Sequence, residues 1–140
     1  MEVHVNAESF AAAPAALIEA AVRHTLEWAG ATVGELSVTL LGDVDIQALN
    51  RDYLAVDRPT DVLAFSLGEG ETLGDVYVGF ERARSQASEL CIPLEEELVR
   101  LAIHGTLHVL GHDHPDGPER SRSSMFEVQE RLLRQVMEAR

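Results

Sequence analysis

Pro93-Leu-Glu-Glu-Glu97-Leu-Val-Arg100-Leu-Ala-Ile-His104-Gly-Thr-Leu-His108-Val-Leu-Gly111-His112-Asp113-His114-Pro115 decides the reading of this chain, because it describes a core helix that also carries ligands. Pro93 and the run Glu95, Glu96 and Glu97 supply the fixed φ and the acidic first turn expected where a helix begins. Leu98, Leu101, Ile103 and Leu107 recur at helical spacing and predict an apolar side turned to the interior. His104 and His108, four apart, stack on one face about one turn from each other. Gly111 suits a left-handed cap and Pro115 stops any continuation, so residues 112 to 114 are expected in a turn folded back toward the pair.

Four of the chain's six histidines fall in this short stretch, which favours a metal site over ordinary surface histidines at a helix end. His104 and His108 are the first two candidate ligands, and the reversal at Gly111 makes His114 the expected third. His112 is its competitor, since it continues the 104, 108, 112 ladder if the helix runs one more turn. Three neutral imidazoles suit zinc, one ion per chain, and leave a fourth position for a water whose pKa falls to roughly 7. The spacing overlaps that of a long zinc-protease motif, but those proteases place glutamate directly after the first histidine as general base. Gly105 can carry no proton, so peptide hydrolysis by that route is disfavoured while the zinc geometry survives.

The 140 residues are expected to form one domain, 1–140, with room for a real core. No apolar run reaches membrane-spanning length and the acidic start Met1-Glu2-Val3-His4 lacks the basic region of a signal peptide, which predicts a cytoplasmic protein with no membrane partner. Cys91 is the sole cysteine; it excludes an intrachain disulfide and is expected to be a small buried side chain. The formal charge of −13, with arginine as the only strong base, argues against nonspecific nucleic-acid binding through a broad positive surface. It leaves room for a local positive cleft built from a metal and a few arginines.

Outward from the histidine stretch, Glu2 to Asn6 alternates polar and apolar and predicts a short strand, with His4 as an exposed strand residue. Residues 14 to 29 open with Pro14 and repeat Leu17, Ile18, Ala21, Val22 and Leu26 as an amphipathic helix ending near Gly30, with His24 on its face or edge. Leu36 to Leu41 reads as a strand, followed by a short helix opened by Asp43 or Asp45 and containing Ile46, Leu49 and Tyr53. A β-type run through Val62 to Leu67, a turn at Gly68 to Gly70, and Leu73 to Val78 complete a sheet of four strands. A helix is expected from about Glu81 to Leu90, and Met125, Val128, Leu132, Leu133 and Val136 form the apolar face of a final one, with Met125 and Phe126 as packing residues.

Several segments together resemble the YbeY family of bacterial zinc-dependent, single-strand-specific endoribonucleases, associated with rRNA maturation and ribosome quality control. They are the stretch His104-Gly-Thr-Leu-His108-Val-Leu-Gly111-His112-Asp113-His114, Leu49-Asn50 through Tyr53, Pro59-Thr60-Asp61-Val62-Leu63 with Phe65, Leu73-Gly74-Asp75, and Met125-Phe126. The resemblance spans nearly the whole chain. It implies a small α+β fold with helices packed on a mixed four-stranded sheet, the zinc site at the end of a core helix, and His104, His108 and His114 as zinc ligands. It also implies single-stranded RNA, rRNA in particular, as substrate rather than DNA, and the ribosome or its associated proteins as partners.

One departure concerns phosphate handling. The family usually has arginine after the tyrosine of Asn-x-x-Tyr, whereas Leu54 follows Tyr53 here, and leucine cannot donate to a phosphate. Arg58, four residues on, is the candidate to compensate, against the plainer reading of a solvated loop arginine. Asp61 is carried as a candidate substrate-binding residue beside the structural roles of loop cap or strand-start aspartate. Ala64 and Ser66 replace the family's usual serine and proline around Phe65. No general base is assigned, and the nucleophile is either water or the adjacent ribose hydroxyl. Two other functions stay open: a metzincin-like hydrolase of another substrate, and a zinc-stabilised ribosome-associated factor with little catalysis.

Overall fold

The computed structural model describes residues 1–67 and 72–111, and 118–140 of the last helix with side chains from residue 124 onward. The elements run β1 (Glu2–Asn6), α1 (Ala15–Trp28), β2 (Glu35–Leu41), α2 (Asp43–Leu54), β3 (Val62–Ser66), β4 (Thr72–Gly79), α3 (Phe80–Leu90), α4 (Leu94–Val109) and α5 (Pro118–Ala139). The strands form one mixed sheet in the order β1-β2-β4-β3. β1, β2 and β4 are parallel, and β3 pairs antiparallel with β4 at the edge. This is the small α+β architecture that the hydrophobic periods and the family resemblance predict.

Alternation along the strands divides the two faces. Val3, Leu36, Val38, Val76 and Val78 point to one side, where they form a core with Ile18, Val22 and Leu26 of α1 and Leu98, Leu101 and Ala102 of α4. α1 ends as its sequence predicts. Gly30 takes φ 75°, and the Ala31 amide donates to the Leu26 carbonyl, closing the helix with a left-handed glycine.

α4 lies at the centre of the helical layer. It is buried on nearly every side by the sheet, α1, α3 and α5, with a second core of Val99, Ile103, Leu107, Met125, Leu132, Leu133 and Val136 on its far flank. Gly105 lets α4 pack close against the sheet: a Cβ there would overlap Val76 and come within 3.2 Å of Val62. The residue that separates this chain from glutamate-bearing proteases is therefore a packing glycine, and any larger side chain at 105 must shift the Val76 side chain of β4.

Two expectations of burial fail, one at a helix cap and one through helical phase. Cys91 is exposed, because it caps α3 in the left-handed region at φ 57° instead of lying on the helix's inner face. Phe126 is 60% exposed, whereas Met125, one position earlier on α5, is buried. The short second helix begins at Asp43, with Gly42 at the cap position before it, and the Asp43 amide donates to the Glu81 carboxylate of α3 at 2.9 Å. The turn at Gly68 to Gly70 and the reversal at residues 112 to 114 lie outside the described residues.

Candidate metal centre

α4 brings His104 and His108 together in its last two turns, as the i, i+4 spacing requires. Both rings are half-buried, while Ile103, Gly105, Thr106, Leu107 and Val109 around them are buried. Their Nε2 atoms lie 3.0 Å apart, with ring centroids at 4.5 Å. Two nitrogens sharing a tetrahedral zinc at bonds of about 2.1 Å stand about 3.4 Å apart. The pair is thus close to the separation that a common ion requires. Two imidazole lone pairs facing each other at this distance repel unless a proton or cation lies between them, so the donor set suits a metal. Just beyond, Gly111 adopts φ 84° and its amide donates to the His108 carbonyl, as expected of a glycine at the helix end.

The other ring nitrogen of His104, Nδ1, is 2.6 Å from Oε1 of Gln129 on α5. Gln129 is buried, and its amide nitrogen donates to Glu130 Oε2 at 3.1 Å. Arg100 of α4 clamps Glu130 at both oxygens, through Nε at 3.0 Å and Nη2 at 3.2 Å, and donates through Nη1 to Glu97 at 2.8 Å. Burial pushes the Glu97 carboxyl above its ordinary range despite the opposing Arg100 contact. Glu130 is the reverse: burial would raise it, but hydrogen bonds from Arg100 and Gln129 prevail and hold it low. Burial acts to lower the Arg100 pKa, yet its hydrogen bonds to Glu130 and Glu97 outweigh that and raise it further, so Arg100 stays charged. Sequence reading passed over this group. Gln129 lies 25 residues from His104, and only the docking of α5 on α4 joins them.

The two candidate substrate-binding residues are placed apart from one another in character. Arg58 is exposed in the segment between α2 and β3, where its backbone carbonyl accepts from the buried Asn50 amide at 3.0 Å. Asp61 is half-buried at the foot of β3; its carboxylate accepts from Gln86 of α3 at 3.2 Å and its carbonyl from the Gly79 amide at 2.8 Å. Its contacts are those of a strand-start aspartate tying β3 to α3 and β4. Leu54 is 53% exposed and Tyr53 68% exposed, and the Tyr53 ring meets Phe65 at 5.5 Å on the face of the sheet away from α4. Tyr77 extends that cluster at 6.0 Å from Phe65. Burial, then Asp75, then Tyr53 raise its phenol pKa. His112, Asp113 and His114 lie outside the described residues.

Among the described residues, Glu2, His4 and Glu35 form a separate group whose ligand atoms all lie within 4.8 Å of one another. His4 Nε2 is 3.0 Å from Glu35 and 3.7 Å from Glu2. The group occupies the outer face of β1 and β2, across the sheet from α4, with Glu2 and His4 exposed and Glu35 half-buried. An exposed histidine between two carboxylates is sufficiently explained as a surface ion-pair cluster.

Fold and site together define an α+β protein built on a mixed sheet, whose central helix presents a converging imidazole pair backed by a partly buried polar network. The profile of the family described as Endoribonuclease YbeY matches residues 2–137, and the chain belongs to that family. It is 44% identical over 114 residues to Endoribonuclease YbeY of Desulfitobacterium hafniense, covering 73% of this chain and 71% of that one. The namesake of Persephonella marina is 37% identical over 125 residues, covering 85% and 81%. A solution structure of a Thermotoga maritima protein superposes with a TM-score of 0.69 at 29% identity, over 96% of this chain and 88% of that one. Among the described residues no helix is long and apolar enough to cross a membrane.

Proposed function

We propose that this chain, as one catalytic domain over residues 1–140, is a zinc-dependent endoribonuclease that cuts single-stranded RNA in rRNA maturation and ribosome quality control. Membership of the Endoribonuclease YbeY family supports the reaction class, a hydrolysis of RNA. The observation that carries the metal assignment is the pair of Nε2 atoms 3.0 Å apart on a rigid, buried helix. His104 and His108 would hold the ion, with His114 completing the set. When bound, zinc supplies Lewis-acid stabilisation of the negative charge that develops on a phosphodiester during cleavage.

The chain's own residues do the rest. α4 fixes both imidazoles against side-chain motion, because its neighbouring positions are packed against the sheet, α1 and α5. Gly105 keeps α4 against Val76 and Val62, holding the ligands at the helix end where it leaves the core. Arg58, charged and exposed beyond α2, is the residue available to meet a phosphate in place of Leu54. The acidic surface as a whole repels RNA, so binding rests on a local positive cleft at the metal and Arg58, to which a ribosomal or protein partner in the cytoplasm would add.

End-labelled single-stranded and duplex RNA, incubated with protein of measured zinc content, tests this reading. Cleavage confined to single strands and abolished by chelation is expected. Full zinc occupancy without cleavage of either RNA, alone or with ribosomes present, would instead favour a zinc-stabilised ribosome-associated factor.

A further inference from the structure

We infer that Gln129 is a positioning residue for the metal centre, fixing the tautomer and ring orientation of His104 under the control of the Arg100 and Glu130 ion pair. The inference rests on the reading of the α4 histidines as ligands and names the part of the molecule that readies one of them.

The chemistry follows from what each atom can do. Glu130 is held by two hydrogen bonds from Arg100, so its oxygens are acceptors, and the atom of Gln129 that approaches at 3.1 Å must be the amide nitrogen. The reversed amide would set oxygen against carboxylate. Gln129 Oε1 therefore faces His104, and an amide oxygen accepts only, so Nδ1 of His104 carries the hydrogen across the 2.6 Å contact. In a neutral imidazole the lone pair is then on Nε2, the atom that converges with His108.

Position 129 has to donate to a carboxylate and accept from an imidazole at once, which an amide does and the other common choices do not. A carboxylate there would face Glu130 as a like charge, and an apolar side chain would take the acceptor from His104 Nδ1 and leave Glu130 with its Arg100 bonds alone. Gln129, the middle of the relay, is 6% exposed, so water competes little for its two bonds. The relay also joins α4 to α5, so the ligand is readied only when the two helices dock.

Gln129→Met, nearly equal in volume and without an acceptor, is the direct test. Zinc affinity measured by chelator competition should fall by about ten- to a hundredfold. In long-range proton–nitrogen spectra of the full chain without metal, at a pH where the imidazoles are neutral, His104 should change from the Nδ1–H form to a tautomer mixture. Unchanged affinity together with an unchanged tautomer would overturn the inference and leave Gln129 as packing. Should Gln129→Met fail to fold, Glu130→Gln decides: a smaller shift in the same two readouts supports the relay, and no shift in either contradicts it. If the wild-type chain binds no zinc, the proposed function fails, while the tautomer comparison still settles the role of Gln129.

Discussion

Two histidine clusters lie on opposite faces of one sheet, and they differ in what surrounds the ligand atoms. His4 with Glu2 and Glu35 satisfies the distance requirement for a cation, yet its side chains are 48%, 72% and 43% exposed and, among the described residues, pair only with one another. His104 and His108 are held on a helix buried on nearly every side, and His104 is tied from behind through Gln129, Glu130 and Arg100. In water, a strand-edge cluster must order long side chains each time it binds, whereas the α4 pair is ordered by folding. Closeness of ligands is common on acidic surfaces; preorganisation separates a site from a coincidence.

The comparison can be broken most forcefully by removing a proposed ligand from the buried side. His104→Ala should reduce cleavage of single-stranded RNA by at least about a hundredfold, read from initial rates at matched zinc, and retention of wild-type rates would remove α4 from the reaction. Arg100→Ala comes next in size. It strips the counterion from Glu97 and Glu130, whose side chains are 5% and 26% exposed, and should destabilise the fold by about 3 kcal/mol in urea unfolding. Gly105→Ala should lose about 2 kcal/mol in the same assay, because the added methyl overlaps Val76.

A pH series sharpens the contrast further. Glu130 is held below its ordinary 4.5 in the fold, so its contribution to stability is present above that value and is lost as pH falls through the lower folded pKa. Glu97, raised by burial, acts oppositely: its contribution is present below 4.5 and is lost as pH rises through its higher folded value. Glu130→Gln should therefore lessen the loss of urea stability between neutral pH and acid below 4.5, and an acid limb as steep as the wild type's would reject this account. The smallest effect belongs to the strand edge, where Glu35→Gln should change stability by no more than about 0.5 kcal/mol.

Local rules made most of the fold legible. Pro14 and Gly30 bracket α1, the acidic turn after Pro93 opens α4, and alternation marks the strands, all features a sequence carries within a few residues. The pairing of His104 with His108 was legible for the same reason. What stayed hidden depends on tertiary docking. Gln129 reads as a polar residue on an amphipathic helix until α5 meets α4, and Gly105 reads as a missing catalytic group until β4 is seen beneath it. Phe126 turned outward because one residue of helical phase, about 100°, separates core from solvent, and Cys91 because it caps α3 in the left-handed region.

Metal content bears most directly on the central claim. Wild-type protein, His108→Ala and His4→Ala, purified in parallel and analysed for zinc by mass spectrometry, should give one ion per chain in the wild type and in His4→Ala, and none in His108→Ala. Zinc retained by His108→Ala and lost from His4→Ala would place the metal at the strand edge and contradict the account.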